Sequence, residues 1–261
     1  MQARIVAAAR GARWLAEGWR LFRVAPLSWL ALVFAYWLLM TLASLVPVLG
    51  VVAASVLVPP FAVGFMAAAR AADRGGAVEL ALLFDGFRHS LASQLALGAV
   101  YLACLALVLG ATALADGGAL MRWMLAGERP EEAVLRSGEF LAALGWAAAL
   151  YVPVMMMFWF APPLAAWHSS GAAKALFFSF FACLLNWRAF LAYAAVTAAL
   201  TLVAPFAALS FMMLASGGAL RASAMALVFP LLIALLPTLF ASFYASYRDV
   251  FGLEAKAGAK P

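Results

Sequence analysis

Long apolar runs separated by short polar breaks dominate the chain. A membrane's hydrocarbon core is about 30 Å thick and needs about 20 apolar residues in a helix. Six runs meet this length, over residues 27–49, 51–69, 91–114, 140–166, 187–214 and 222–247. The runs are continuous rather than alternating, which disfavours the roughly 10-residue strands of a membrane barrel. The pattern predicts an all-α, polytopic integral membrane helical bundle with six transmembrane helices.

A different pattern precedes the first run. In residues 2–24 apolar side chains recur at steps of three or four, and arginines occupy another face. A basic amphipathic helix with tryptophans at its apolar edge is typical of a helix lying in the headgroup plane. The alternative is a cytosolic helix packed beneath the bundle. The candidate membrane-surface contacts are Arg10, Arg13, Arg20, Arg23, Trp14 and Trp19.

The same arrangement recurs along the chain. Phe22, Phe87 and Phe181 each lie in an amphipathic stretch before an apolar run, and the returning runs carry VPPFAVGF, APPLAAWH and LPTLFASF. We interpret residues 1–261 as a single transmembrane domain of three parallel repeats, each an interfacial helix plus a kinked hairpin. The repeat units cover about residues 10–75, 80–170 and 174–252, and residues 253–261 are expected to form a disordered tail.

Prolines in the returning runs predict kinks, because proline lacks a backbone donor and clashes with the preceding turn. The carbonyls freed at a kink need partners inside the protein or in a wet cavity. A cavity at these helix breaks is therefore a hypothesis. Its candidate positions are Pro59, Pro60, Gly64, Pro162, Pro163 and Pro237.

Composition and charge agree with the membrane class. The chain is 68% hydrophobic and 11% charged, whereas soluble domains are roughly 45–50% apolar and 25% charged. The net charge of +6 does not indicate a nucleic-acid partner, because the basic residues flank the apolar runs. With a cytoplasmic N-terminus, thirteen Lys and Arg residues lie inside and four outside. We therefore predict a multi-pass protein of the bacterial cytoplasmic (inner) membrane, with both termini cytoplasmic.

The stretch GWRLFRVAPLSWL, with the later PVLG and PPFAVGF, resembles a large group of bacterial six-helix inner-membrane proteins of unknown function. The group includes the YciC-like proteins and relatives of the membrane domain attached to some glycerophosphodiester phosphodiesterases. The resemblance covers nearly the whole chain in layout and is specific over roughly residues 14–90. It implies an inner-membrane location, and it transfers neither catalytic residues nor the phosphodiesterase activity.

Candidate chemistry is sparse. The sequence carries no HExxH, CxxC, Walker or Gly-x-Ser-x-Gly motif. Asp85 and His89 are one helical turn apart, and an enzymatic site would require them to converge with His168. The run Met155-Met156-Met157 makes a poor copper chelate, because consecutive residues point in different directions around a helix. No catalytic site, cofactor or metal is therefore predicted.

No ionisable residue lies near the centre of a predicted span, which argues against a proton-coupled pump. The sequence favours an uncharacterised, non-enzymatic membrane protein that acts through lipid or membrane-protein contacts. The expected partners are the bilayer's anionic headgroups at the cytoplasmic face, with other membrane proteins as a further option. The alternative is a channel or transporter for an apolar or amphiphilic small solute, suggested by the proline-broken helices.

Overall fold

The computed structural model describes residues 2–45, 49–203, 206–207, 210–211, 214 and 221–252, without the side chains of residues 49, 51 and 221–232. Within these residues the chain is helical and has no β-strand, so the all-α class is confirmed. A 3-10 turn spans Leu80–Phe84, and the π-helical turn Ala199–Val203 extends α11. The helices are α1 (Ala8–Val24), α2 (Pro26–Ser44), α3 (Leu49–Asp73), α4 (Asp85–Arg88), α5 (Leu91–Asp116), α6 (Ala119–Ala126), α7 (Glu132–Leu135), α8 (Gly138–Trp159), α9 (Ala161–Trp167), α10 (Ala172–Leu185), α11 (Trp187–Ala198) and α12 (Arg221–Phe251).

Several of these helices can cross a membrane. In the described part of the chain, four segments are long and apolar enough: Pro26–Ser44, Val52–Asp73, Leu91–Asp116 and Gly138–Trp167. The pair Ala172–Leu185 and Trp187–Val203, bent by 79°, would add a fifth if it crosses as one span. The predicted run 222–247 falls within the 31-residue helix α12. An integral membrane bundle is thereby confirmed, while six spans in three repeats stays a prediction.

Some predicted features fall where the structure gives no description. The outer turn at residues 46–48, much of the predicted fifth run beyond residue 203, and the predicted tail 253–261 lie outside the described residues. The predicted start of the fifth run at residue 187 coincides with the start of α11, directly after the 79° bend.

The first helix packs against the bundle. α1 lies against α11 and the second half of α12, and its buried face includes Gly11, Trp14 and Gly18. A Cβ at Gly11 would overlap the carbonyl of Ala189 in α11, and one at Gly18 would overlap the carbonyl of Thr238 in α12. Because glycine has no side chain, α1 can touch the backbones of both neighbours at once.

The prolines interrupt the helices less than their number suggests. α3 continues through Pro59 and Pro60, and α12 continues through Pro237. The interruption occurs at Phe160, between α8 and α9. Pro162 and Pro163 follow in the first turn of α9, where a missing N–H costs no helical bond.

The break at Phe160 is satisfied by a side chain from a neighbouring helix. The buried hydroxyl of Ser179 in α10 accepts a hydrogen bond from the Phe160 N–H at 2.9 Å and donates to the Met156 carbonyl at 2.7 Å. These two backbone groups would bond each other in an uninterrupted helix. A side chain inserted into the helical hydrogen bonds is a recognised cause of a sharp bend.

The main core lies where α1, α3, α9, α10, α11 and α12 come together. Aromatic rings dominate it: Phe65 of α3 stacks on Phe240 of α12 with centroids 4.0 Å apart, and Tyr36 of α2 meets Phe65 edge-on. A smaller cluster around Leu120 and Phe140 packs α6 against α8. The core therefore holds α1 and the last part of α12 beside the end of α3.

Candidate functional site

Ion pairs fasten α1 to the end of α12. Asp249 accepts two hydrogen bonds from the Arg10 guanidinium, each 2.7 Å long, and one from the indole N–H of Trp14 at 2.8 Å. Arg10 also pairs with Glu17, about two helical turns further along α1, at 2.9 Å. The hydrogen bond to Asp249 raises the pKa of Arg10, since it stabilises the charged guanidinium. Trp14 and Arg10 therefore both donate hydrogen bonds to the carboxylate of Asp249.

The same network continues to α3. Arg248 of α12 pairs with Glu17 of α1 and, at 2.7 Å, with Asp73 at the end of α3. Asp73 also pairs with Arg20 of α1 at 2.8 Å and accepts a hydrogen bond from the Tyr244 hydroxyl at 3.3 Å. Three arginines and three acids thus alternate and carry no net charge. They are Arg10, Arg20 and Arg248 with Glu17, Asp73 and Asp249.

This network changes the interpretation of the predicted membrane-surface contacts. Trp14 is 0% exposed and lies in the core, so it cannot contact a membrane surface. Arg10 and Arg20 pair with acidic residues of the protein, and the Arg20 side chain is 50% exposed. The amphipathic pattern correctly predicted the helix. It placed Trp14 at the headgroups, whereas Trp14 is buried against α11 and α12.

The remaining predicted contacts do lie at the surface. Arg13, Arg23 and Trp19 are exposed, and the Arg23 guanidinium lies 5.9 Å from the Trp19 ring centroid. Two further exposed cations cover aromatic rings near the start of α10 and α11. The three pairs are Arg23 with Trp19, Lys174 with Phe178 at 6.0 Å, and Arg188 with Trp187 at 5.4 Å. In the described part of the chain, no ion pair involves these cations or Arg13.

A buried asparagine fixes the bend between α10 and α11. The Asn186 side chain, 2% exposed, accepts a hydrogen bond from the Val6 N–H at 2.8 Å and donates to the carbonyls of Arg4 and Ala182 at 3.0 and 2.9 Å. The Arg4 N–H in turn donates to the Val250 carbonyl at 2.7 Å. The segment before α1 therefore lies across this bend and beside the end of α12.

The proline positions proposed for a cavity lie in packed contacts. A Cβ at Gly64 would overlap the Leu83 carbonyl, and the Pro162 carbonyl accepts a 2.8 Å hydrogen bond from the fully buried Gln94. The cavities of the described chain include four of 220 to 580 Å³. None of these four is lined by Pro59, Pro60, Gly64, Pro162, Pro163 or Pro237.

The largest of the four is an apolar cleft of about 580 Å³ between α8 and α11, hereafter the α8–α11 cleft. Met155, Met156 and Trp159 form its α8 side, and Trp187 and Leu191 belong to its α11 side. Its volume is within the roughly 300–1,000 Å³ range of small-molecule sites. Nothing in the sequence pattern indicates a cleft here, since both walls are simply apolar.

The residues weighed for an enzymatic site are divided between two places. The His89 ring Nδ1 lies 2.9 Å from the Asp85 carbonyl oxygen and 3.5 Å from its carboxylate. His168 instead shares a 2.8 Å hydrogen bond with the Tyr247 hydroxyl. Among the described residues, no group of three or more His, Cys, Asp or Glu side chains is placed to hold a metal ion.

Sequence reasoning missed three polar residues that organise this end of the molecule: Gln94, Ser179 and Asn186. Each bonds a backbone group of another helix or segment and is at most 2% exposed. Their only signal in the sequence is that each is a polar residue in or between apolar stretches. That signal is shared with many serines and threonines whose hydroxyls bond their own helix.

Apolar helices of membrane-spanning length, joined at one end by a neutral ion network, define this protein as an integral membrane helical bundle. The chain belongs to a family of probable inner membrane proteins. A relative from Burkholderia thailandensis, named as a probable inner membrane protein, is 42% identical over 268 residues that cover 100% of this chain and 97% of the relative. No family model matches the chain, and no solved structure matches it.

Proposed function

We propose that this protein is a non-enzymatic component of the bacterial inner membrane that acts through lipid and membrane-protein contacts. One observation carries the proposal: seven of its basic residues fall into two sets with different surroundings. Arg10, Arg20 and Arg248 each pair with acids of the protein. A second set is exposed at the surface and has no acidic partner in the described chain; it consists of Arg13, Arg23, Lys174 and Arg188.

The surface set has the chemistry of a headgroup contact. Three of its four cations lie over aromatic rings, and tryptophan with basic side chains is typical of the membrane–water boundary. A Lys or Arg near an anionic leaflet contributes about 1 kcal/mol of attraction. Exposed cations that the protein does not neutralise are free to make that contact.

Both termini are proposed to be cytoplasmic. The hydrogen bond from Arg4 to Val250 supports this, because it brings the two ends of the described chain to one face. Chain ends on one face require an even number of crossings. Six crossings follow if the bent pair α10–α11 crosses once and α12 crosses as well. The kinship with the YciC-like proteins and with the phosphodiesterase-linked membrane domains belongs to the same proposal.

The test measures lipid selectivity of the full-length protein. The protein is reconstituted in phosphatidylcholine bilayers, and spin-labelled phosphatidylglycerol and phosphatidylcholine report the relative occupancy of the lipid shell by electron spin resonance. We expect the wild type to prefer phosphatidylglycerol. Replacing Arg13 and Arg23 by Gln should lower this preference several-fold, because two cations of about 1 kcal/mol each are lost.

The matched control is the double variant Arg129→Gln and Arg136→Gln, which removes the same charge from the predicted outer loop. Arg136 already pairs with Glu132 at 3.1 Å, so this control should change the preference less. A wild-type protein without preference, or equal losses in the two double variants, would reject the headgroup contact.

A transporter or channel for an apolar or amphiphilic small solute remains the second candidate. The α8–α11 cleft is the observation that favours it, because its wall is apolar and of suitable volume. The proline positions first proposed for a solute path do not line this cleft. Flux of a fluorescent fatty acid across proteoliposomes, compared with protein-free vesicles, tests this candidate directly.

A further inference from the structure

The α8–α11 cleft arises from the path of the chain. α10 packs against α8 and α9, and the chain then turns by 79° at Asn186 into α11, which packs against α1 instead. α8 packs against α5 and α10. The two walls of the cleft therefore diverge from a common start beside the bend, and Asn186 holds that bend through three hydrogen bonds.

Most of the surface that lines the cleft is apolar. The Tyr193 hydroxyl shares a 2.7 Å hydrogen bond with Ser242, and the Thr201 hydroxyl donates to the Thr197 carbonyl at 2.8 Å. The buried Thr197 hydroxyl has no hydrogen-bond partner in the described chain, and the rest of the lining is hydrocarbon, aromatic ring, thiol and thioether. Two residues of the methionine run, Met155 and Met156, belong to this wall, and methionine adapts its shape to irregular ligands. The wall suits a hydrocarbon chain rather than a polar solute.

The cleft is longer than one leaflet is deep. Its lining follows α11 from Trp187 to Leu202, fifteen residue steps, which is about 22 Å at the rise of an α-helix. One leaflet contributes about half of the roughly 30 Å hydrocarbon core. A single acyl chain lying along α11 would thus stay within the cleft for the depth of its leaflet.

A cation marks the end of the cleft. Trp187 lies on the rim and is 51% exposed, and the Arg188 guanidinium lies 5.4 Å from its ring centroid. No ion pair in the described chain uses Arg188. A phosphate diester at this point would meet an arginine, which binds phosphate through charge-assisted hydrogen bonds.

We infer that the α8–α11 cleft binds one acyl chain of an anionic phospholipid, with the lipid phosphate at Arg188. The inference rests on the proposed function, since it assumes that lipid contact matters to this protein. It depends on residues other than Arg13 and Arg23. A negative result in the cleft experiment would therefore not affect the lipid-selectivity result for Arg13 and Arg23. A negative lipid-selectivity result would still allow the cleft to be tested.

The experiment titrates the full-length protein in detergent with phosphatidylglycerol or phosphatidylcholine and counts bound lipids by native mass spectrometry. Ala194, an exposed residue of the cleft wall, is replaced by Trp to fill the space. We expect one tightly retained phosphatidylglycerol in the wild type. In Ala194→Trp its Kd should rise at least about tenfold, because displacing only two methylene groups already has that effect.

Arg188→Gln separates the headgroup from the chain. It should weaken phosphatidylglycerol about tenfold through the loss of one charge-assisted hydrogen bond, and reduce its advantage over phosphatidylcholine. Ala149→Trp adds the same indole to an exposed position of α8 outside the cleft lining and should leave lipid retention unchanged. Ala198→Trp, which fills the cleft at a second point, replaces Ala194→Trp if that variant does not fold.

Two results would overturn the binding of an acyl chain in the cleft. In the first, cleft-filled variants with wild-type thermal stability retain phosphatidylglycerol as tightly as the wild type. In the second, the wild type appears as a dimer that Ala194→Trp dissociates while lipid retention does not change, which would assign the cleft to a second copy of the chain. Unchanged phosphatidylglycerol retention in Arg188→Gln would overturn the assignment of the phosphate, and equal losses of both lipids would overturn the preference for an anionic lipid.

Discussion

α1 and α2 are consecutive helices, and they differ in charge and in burial. α1 carries more charged residues than α2, and it also has more buried residues. α1 carries five charged residues, yet six of its residues are buried and Trp14 is 0% exposed. α2 carries no charged residue, yet only Trp29 and Leu32 are buried. Phe34 and Trp37 of α2 are 69% and 59% exposed. The more polar helix is therefore the one with the more extensively buried face.

The difference follows from the solvent. Lipid tails are as apolar as leucine, so no hydrophobic force drives α2 into the bundle, and its large side chains can stay against lipid. α1 has to be held by other means. Glycines let it touch two backbones, Trp14 fills the core, and acids from α12 and α3 pair with Arg10 and Arg20. Specific contacts are concentrated in the helix that hydropathy would rank lowest.

The largest effect on stability should come from truncating the buried tryptophan of α1, and an exposed tryptophan of α2 provides the comparison. We expect Trp14→Ala to lower the free energy of unfolding by about 3–5 kcal/mol, because it leaves a cavity in a packed core. Trp37→Ala, on the exposed face of α2, should change it much less, since lipid fills the vacated space. Unfolding of the full-length protein in bicelles by added dodecyl sulfate measures both. Equal losses would contradict the division between enclosed and lipid-facing helices.

Much of the fold follows from the sequence because membrane-spanning length and helical periodicity are local properties. The predicted runs 27–49, 51–69, 91–114 and 140–166 each correspond to a candidate span. The effect of proline was harder to predict. Pro59 and Pro60 stay within a continuous helix, whereas the break at Phe160 depends on Ser179, a residue of another helix. A local pattern cannot show which distant side chain will satisfy a broken helix.

The candidate site was less predictable for the same reason. The periodicity of residues 2–24 identified α1 and its arginine face, and two of those arginines, Arg13 and Arg23, do lie at the surface. The partners of Arg10 and Arg20 are 239 and 53 residues away. Ion pairs across such separations depend on how the helices assemble. The α8–α11 cleft likewise depends on the bend between α10 and α11, which the hydropathy pattern does not predict.

A smaller effect is expected from the glycine contacts of α1. Gly11→Ala would push α1 away from the Ala189 carbonyl and should cost about 1–3 kcal/mol, as overpacking does in cores. Gly145→Ala is the control, because a Cβ at Gly145 in α8 meets open space. The control should be neutral or slightly stabilising, since alanine favours helix. The same unfolding titration compares them, and a stable Gly11→Ala variant would show that α1 packs more loosely.

The smallest of these effects should come from the network that neutralises α1. Asp249→Asn keeps an acceptor for the Trp14 indole but removes the negative charge that faces Arg10, whose side chain is 30% exposed. Partial exposure and the second partner Glu17 limit the loss to about 1–2 kcal/mol, below that of a fully buried pair. Glu132→Gln, in a pair with exposures of 82% and 76%, should change stability by less than about 0.5 kcal/mol.

The comparison of Asp249→Asn with Glu132→Gln also separates two roles of the network. If its acids only fasten α1, Asp249→Asn lowers stability and leaves the lipid shell unchanged. If they also keep Arg10 away from lipid, the freed guanidinium should raise the preference for phosphatidylglycerol in the spin-label measurement. A variant with wild-type stability and wild-type lipid preference would contradict both roles. The enclosure of α1 would then rest on its glycines and on Trp14 alone.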